Sequence, residues 1–415
     1  MTHKLANTAP APAQGGFADG YETVARCFAE QIERGEEVGA GLTIYRRGEL
    51  VVDVWGGMAD IAARRSWTRD TRIVLFSVTK GLVAMALHLL ADRGQLDWQA
   101  PVSHYWPGFG RGGKQDMTVA TLLNHRGGLC ALDTALTMRD CIDPARAGFL
   151  LEALETQRPA WTPGEDQGYH AVTFGLYARV LFELIAGEDI GQFLERELCL
   201  PLDSDVRLGT GEVYDELFAT LYPPSAPTRM ANMIATAVVQ PRSPEAGVFR
   251  DVLSRDSLTR RAFLNPQVPR NNVAIYNEPP ARRAALAWAS ATGSAHGLAR
   301  VYLPFASGGE HAGRRYVRGV TLEPVYKRQG WSWHDRVLQK PLGWSHGFLK
   351  EERHLFSPNP ESFGHAGMGG ALGWADPVEQ MTFGYVMNRM DWRVRSQRCV
   401  ALCRALYESE ALLDR

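Results

Sequence analysis

The chain has 415 residues, of which 45% are hydrophobic and 22% charged, with 45 basic against 46 acidic side chains. That length and composition call for a sizeable core in one large or two interleaved domains, and exclude disordered or collagen-like character. A net charge near zero with no long basic run excludes an electrostatic footprint for nucleic acid or an anionic membrane and favours a small neutral substrate.

Six cysteines (Cys27, Cys130, Cys141, Cys199, Cys399 and Cys403) form no Cys-x-x-Cys pair. Neither a disulfide framework nor a zinc site is indicated, and reduced thiols in a cytoplasmic protein are expected. Residues 1–20 are polar and rich in Pro, Ala and Gly, without the basic and apolar regions of a signal peptide, and read as a flexible arm. No apolar run reaches the roughly 18–20 residues needed to span a bilayer.

The first ordered elements are strands. "AGLTIYRRGELVVDVWGG" carries two β-rich runs around "RRGE", a hairpin whose Gly48 supplies the positive φ of a tight turn. The run "GLVAMALHLLA" that follows has the length of a buried helix. A long middle of helical and irregular character comes next: "VATLLNHRGGL", "FGLYARVLFELIAG", "DIGQFLERELCLPL" and "ALAWASATGSAHGLARVYLPFAS". The Pro-, Arg- and Thr-rich segment 205–285 reads as long surface connections, and no amphipathic lid or interfacial helix is evident. Near the end, "EQMTFGYVMNRM" predicts a strand and "WRVRSQRCVALCRALYESEALL" a helix. The expected fold is therefore α/β (α+β): an antiparallel sheet built from N- and C-terminal strands and flanked by helices, with a mainly helical insertion. The boundaries are 21–105 plus 286–415 for the α/β domain and 106–285 for the inserted domain, with the site where the two meet.

The chemistry-bearing stretch is "LFSVTKGLVAMALHLLADRGQLD". In a helix that starts at Ser77, positions i and i+3 share a face, so Ser77 and Lys80 stand side by side. A serine hydroxyl needs a neighbouring base to become a nucleophile, and a lysine amine can serve once burial lowers its pKa from about 10.4. The helix N-terminus opposes the ammonium form and offers backbone N–H groups to an oxyanion. The competing reading is an ordinary N-cap serine, and composition alone yields roughly a quarter of a Ser-x-x-Lys match in a chain like this. Against it, the chain uses 39 arginines but only six lysines, so one at the head of an apolar helix is not surface filler. Gly81 costs a helix about 1 kcal/mol against alanine and hints at close approach by another element.

The run "FSVTKGLVAMALHLLADRGQLDWQAPVSHYWPGF" followed by "MTVATLLNHRGGL" resembles the penicillin-recognising serine hydrolases of the β-lactamase and penicillin-binding-protein superfamily. It is most similar to carboxylesterases with the class C β-lactamase fold, the family VIII esterases. The resemblance implies Ser77 as nucleophile, with Lys80 and Tyr169 as base and proton relay. Tyr169 stands in "WTPGEDQGYHAVTFGLYARVL" where the family has a Tyr-x-Asn turn, although Ala171 replaces the asparagine. "FGHAGMGGALGWADP" takes the place of a Lys-Thr-Gly strand, with His365, Ala366 and Gly367. That makes the N–H groups of Ser77 and Met368 the expected oxyanion donors, and His365 and Gly367 expected substrate contacts. Trp344 is expected to wall the acyl pocket. His170, beside Tyr169, is a further candidate for substrate contact, and His125 is expected to hold a loop.

"GWSHG" at 343–347 matches the Gly-x-Ser-x-Gly elbow, but no strand-turn-helix pattern surrounds Ser345 and His365 is the last histidine, so it reads as a decoy. No histidine pair has metal-site spacing, so no metal and no cofactor is expected. Replacement of the amide-binding Asn and of the Lys-Thr-Gly lysine favours short-chain carboxylic esters. A β-lactamase, a D-peptidase or amide hydrolase, or an acyltransferase on the same fold remain the alternatives, with a non-catalytic binding relative as a second one. The oligomeric state is open between a monomer and a small homo-oligomer.

Overall fold

The computed structural model describes residues 5–209, 215–266, 273–350 and 352–413. Its strands are β1 (Asn7–Thr8), β2 (Gln14–Phe17), β3 (Gly39–Arg46), β4 (Glu49–Asp60), β5 (Arg65–Ser66), β6 (Ile73–Val74), β7 (Thr292–Gly293), β8 (Glu310–His311), β9 (Arg314–Arg315), β10 (Gly330–Ser332), β11 (Leu342–Ser345), β12 (Phe348–Lys350), β13 (Phe363–Ala366), β14 (Leu372–Asp376) and β15 (Met381–Met387). Eleven of them form one antiparallel sheet in the order β1-β2-β4-β3-β15-β14-β13-β12-β11-β10, with β5 on β4. The two ends of the chain meet where β3 pairs with β15, Ile44 opposite Phe383. This is the mixed architecture expected from strands at both ends of the sequence.

The β3–β4 hairpin turns through Arg47 and Gly48, both at positive φ (52° and 79°), as a two-residue type I′ turn requires. Helix α1 (Glu22–Glu33) buries Val24, Ala25, Phe28 and Ala29 along one face and packs on the helix Gln397–Tyr407. Helix α2 (Val78–Asp92) is buried without interruption from Val78 to Leu90. A helix apolar on all sides has to be enclosed on all sides: α2 meets β12, β13 and β14 on one side and the helices Thr173–Ala186 and Ile190–Leu194 on the other. Its N-terminus therefore opens between the sheet and the helical layer.

Three expectations are corrected. Residues 7–8 and 14–17, read as part of a flexible arm, are strands, and β2 pairs along β4 from Gln14 opposite Trp55 to Phe17 opposite Val52. The 205–285 segment holds helices at Ala226–Val239, Pro244–Leu253, Leu258–Phe263 and Pro279–Arg283. The first three are capped by Ser225, Ser243 and Ser257, whose side chains accept from the N–H of Thr228, Ala246 and Arg260. The proline that argued for loops occupies the first turn of the first two, where its missing N–H costs nothing. The helix Ala226–Val239 is also the amphipathic element judged absent: it has no buried residue, and Met230, Ile234 and Val238 face solvent. The stretch from Ala285, read as helical and irregular, is irregular up to β7 and helical from Ala295.

Candidate active site

Phe76, between β6 and α2, takes a positive φ of 47°, a costly conformation for an aromatic residue. Its ring packs edge-on to Tyr276. This kink delivers Ser77 to the head of α2. Ser77 has the helix-cap position but makes no capping hydrogen bond; its hydroxyl faces two other side chains. Lys80 Nζ donates to Ser77 Oγ at 3.0 Å and Tyr169 OH donates to it at 2.9 Å. Ser77 is partly exposed, whereas Lys80 is fully buried and Tyr169 nearly so.

Burial governs the electrostatics of this triad. Lys80 is held well below its ordinary pKa by desolvation, because an ammonium in a low-dielectric interior loses its hydration. Its second hydrogen bond, to the Trp288 carbonyl at 3.1 Å, is to a neutral acceptor. Burial pushes Tyr169 upward from 10, against a smaller opposing effect of its hydrogen bond to Ser77. Burial thus favours the neutral form of both the amine and the phenol.

The Trp288 carbonyl carries no sequence signature. It reaches Lys80 because its loop is stitched to the start of α2: Leu75 N–H donates to the Ala291 carbonyl, and Ala291 N–H donates to Thr79 Oγ1. Gly81 is required by the close approach its sequence suggested, since a Cβ there would lie 2.5 Å from the Tyr302 hydroxyl.

The β13–β14 turn closes the other side. A Cβ at Gly367 would lie 2.5 Å from the Leu75 carbonyl and 3.4 Å from Val78, so the glycine lets this turn sit directly against the segment that carries Ser77. Gly367 N–H donates to the Ala371 carbonyl, which tightens the turn around the exposed Met368. His365 donates from Nδ1 to the Ala366 carbonyl at 2.8 Å, leaving Nε2 as a buried acceptor without a partner among the described residues. Burial and then Lys80 hold it far below 6.5. It is neutral, and supplies no cation for a carboxylate.

Two expected contacts sit elsewhere. His170 is occupied inside the protein: its Nε2 accepts from Leu129 N–H at 3.0 Å and its Nδ1 lies 3.1 Å from His125 Nδ1. Because Nε2 accepts, Nδ1 carries the proton and donates to His125, leaving no ring nitrogen for a substrate. Trp344 is 1% exposed and lies parallel to the Tyr169 ring at 5.7 Å. It backs the phenol rather than walling an open pocket. His125, at φ 60°, accepts a second hydrogen bond from His170 N–H and so holds the Tyr169 turn.

Ser345 ends β11, and His346 and Gly347, both at positive φ, turn the chain straight into β12. Its fully buried hydroxyl donates to the Pro324 carbonyl. No helix follows, so there is no elbow. A cavity of about 1110 Å³ lined by Asp53, Arg69, Arg72, His296 and Arg300 among others does not include Ser77 in its lining. Among the described residues no cluster of His, Cys, Asp or Glu suits a metal ion, and no helix is long and apolar enough to cross a membrane.

Comparison with known proteins places the chain in a family. The β-lactamase family model matches residues 24–402. An esterase/β-lactamase, LipL of Mycobacterium tuberculosis, is 32% identical over 399 residues, spanning 94% of this chain and 87% of its own. Among solved structures, a family VIII carboxylesterase superposes with a TM-score of 0.82 at 31% identity, covering 96% of this chain and 99% of that one. EstA from Arthrobacter nitroguajacolicus gives 0.81 at 28%, with coverage of 96% and 99%. The chain belongs to the β-lactamase family, as a hydrolase of the esterase/β-lactamase fold.

Proposed function

We propose that the protein is a serine carboxylesterase that cleaves short-chain esters through an acyl-enzyme on Ser77. The observation that carries this reading is the convergence of Lys80 Nζ and Tyr169 OH on a single, otherwise unengaged Ser77 hydroxyl. In acylation, Ser77 Oγ attacks the ester carbonyl carbon while its proton passes to the neutral amine of Lys80. The N–H groups of Ser77 and Met368 receive the tetrahedral oxyanion. Collapse breaks the bond to the alcohol, which takes the Tyr169 proton as the phenol is reprotonated from Lys80. Water then attacks the acyl carbon, giving its proton back through Lys80, and the carboxylic acid leaves with Ser77 restored.

The residues around Ser77 support this substrate class. Phe76, Tyr169 and His365 are each at most 5% exposed, which supports a short acyl group beside Ser77. Ala171 offers no side-chain amide and His365 no charge, which supports esters over the amide and carboxylate of a β-lactam. Lactam hydrolysis is the second reading, since LipL is an esterase/β-lactamase and the acyl transfer is the same. All six cysteines are unpaired, which supports a reducing compartment. The test is a panel of p-nitrophenyl acetate, p-nitrophenyl octanoate, nitrocefin and a D-Ala-D-Ala peptide against the wild type and Ser77→Ala. Turnover of the acetate ester alone, lost in Ser77→Ala, supports the reading; preference for nitrocefin or the peptide overturns the substrate class.

A further inference from the structure

We propose that Asp335 is the positioning residue for Tyr169, acting through the β10–β11 loop; the inference rests on the role just given to Tyr169. Asp335 is fully buried, and among the described residues no arginine or lysine pairs with it; its neighbour Arg336 reaches Asp166 instead. A buried carboxylate without a counter-charge is tolerated only when its lone pairs are filled. Here they are. Oδ1 accepts from the backbone N–H of Tyr169 at 3.0 Å, Val337 at 3.0 Å and Leu338 at 2.9 Å. Oδ2 accepts from Gln167 Nε2 at 3.3 Å.

Two of those donors belong to its own loop, as in any side-chain-stabilised turn. The other two come from residues 166 and 168 positions earlier, in the segment that presents the phenol. The grip is reinforced by Arg336 N–H, which donates to the Gln167 carbonyl, and by a second bond from Gln167 Nε2 to the Leu342 carbonyl. Two residues beyond Leu342, Trp344 lies flat behind the Tyr169 ring. One loop and the strand after it therefore fix both the backbone and the ring of Tyr169. Together with the His125 anchor of the residues on either side of Tyr169, they hold the hydroxyl 2.9 Å from Ser77 Oγ.

A misplacement of about 1 Å at a reacting group costs on the order of 10²-fold in rate. Asp335→Ala should lower kcat on p-nitrophenyl acetate by about that factor with little change in KM. Asp335→Asn keeps one oxygen for the three backbone donors, and Gln167 can turn its unpartnered Oε1 to the new amide; its loss should be smaller, roughly 3- to 10-fold on the same scale. In a Tyr169→Phe background, either Asp335 variant should have little further effect. Equal fold losses in both backgrounds, or unchanged kcat in folded Asp335→Asn, overturns the proposal. If Asp335→Ala fails to fold, Asp335→Asn carries the test. If Tyr169→Phe itself keeps the full rate, the catalytic reading of Tyr169 falls separately. Positioning is then judged from a crystal structure of Asp335→Asn, where a Tyr169 hydroxyl still within hydrogen-bond distance of Ser77 sinks it.

Discussion

Lys80 Nζ stands 3.0 Å from Ser77 Oγ in a fully buried position, and its other hydrogen bond is to a carbonyl rather than a carboxylate. An opposite charge would have held the amine protonated; desolvation alone drives its pKa far down and makes it a base. Catalysis needs the deprotonated form, so kcat/KM should rise with pH through an apparent pKa well below the ordinary lysine range. Tyr169 is pushed upward, so its ionisation should not bend the profile near neutrality. Lys80→Arg, which cannot give up its proton, should be inactive at every pH; a pH–rate series on the two proteins checks this.

Tyr169→Phe should keep the ring stack on Trp344 and lose only the hydroxyl that donates to Ser77. A positioned proton donor contributes typically about 10²–10⁴-fold, so kcat should fall by that order while thermal stability changes little. Steady-state kinetics beside a melting curve distinguish this from a structural tyrosine, whose loss would show in the melt.

The contact between Gly81 and Tyr302 gives a test of packing. Gly81→Ala places a Cβ 2.5 Å from the Tyr302 hydroxyl, and overpacking a core costs typically about 1–3 kcal/mol. That hydroxyl is buried without a partner among the described residues. Tyr302→Phe should therefore be well tolerated alone and should recover most of the Gly81→Ala loss in the double variant, as read by urea denaturation.

Acid should unfold the protein partly through its buried histidines. His88 and His170 are both fully enclosed, and burial lowers each to about 3, against about 6.5 when unfolded. Between those values the unfolded chain binds more protons, so stability rises with pH there. Their contribution is complete above about 6.5 and is lost as pH falls toward 3. His88→Phe, in a site already walled by Trp98 and Phe348, should flatten the melting temperature against pH across this window.

The parts of the fold that can be read from sequence are those whose pattern has one solution. Helix α2 is apolar all round and so has to be central, and the Arg47–Gly48 turn sets the register of the first hairpin. Ser77, Lys80 and Tyr169 are legible because their side chains carry the signal. The Trp288 carbonyl and Asp335 are not. A main-chain acceptor leaves no mark in sequence, and the reach of Asp335 to Tyr169 spans 166 residues. The helices after Ser225, Ser243 and Ser257 were within reach: serine followed by a proline-tolerant first turn is a start signal, outweighed by the proline count. His170 shows the opposite failure, since proximity in sequence to Tyr169 says nothing about which way its ring points.

The most direct measurement is mass spectrometry of the intact and digested protein after treatment with a short-chain alkyl p-nitrophenyl phosphonate. A serine activated as described should take up one phosphonyl group per chain, on the peptide containing Ser77, with loss of esterase activity in the same proportion. Ser77→Ala should remain unlabelled. Labelling at Ser345, or full inhibition without any adduct on Ser77, would contradict the account.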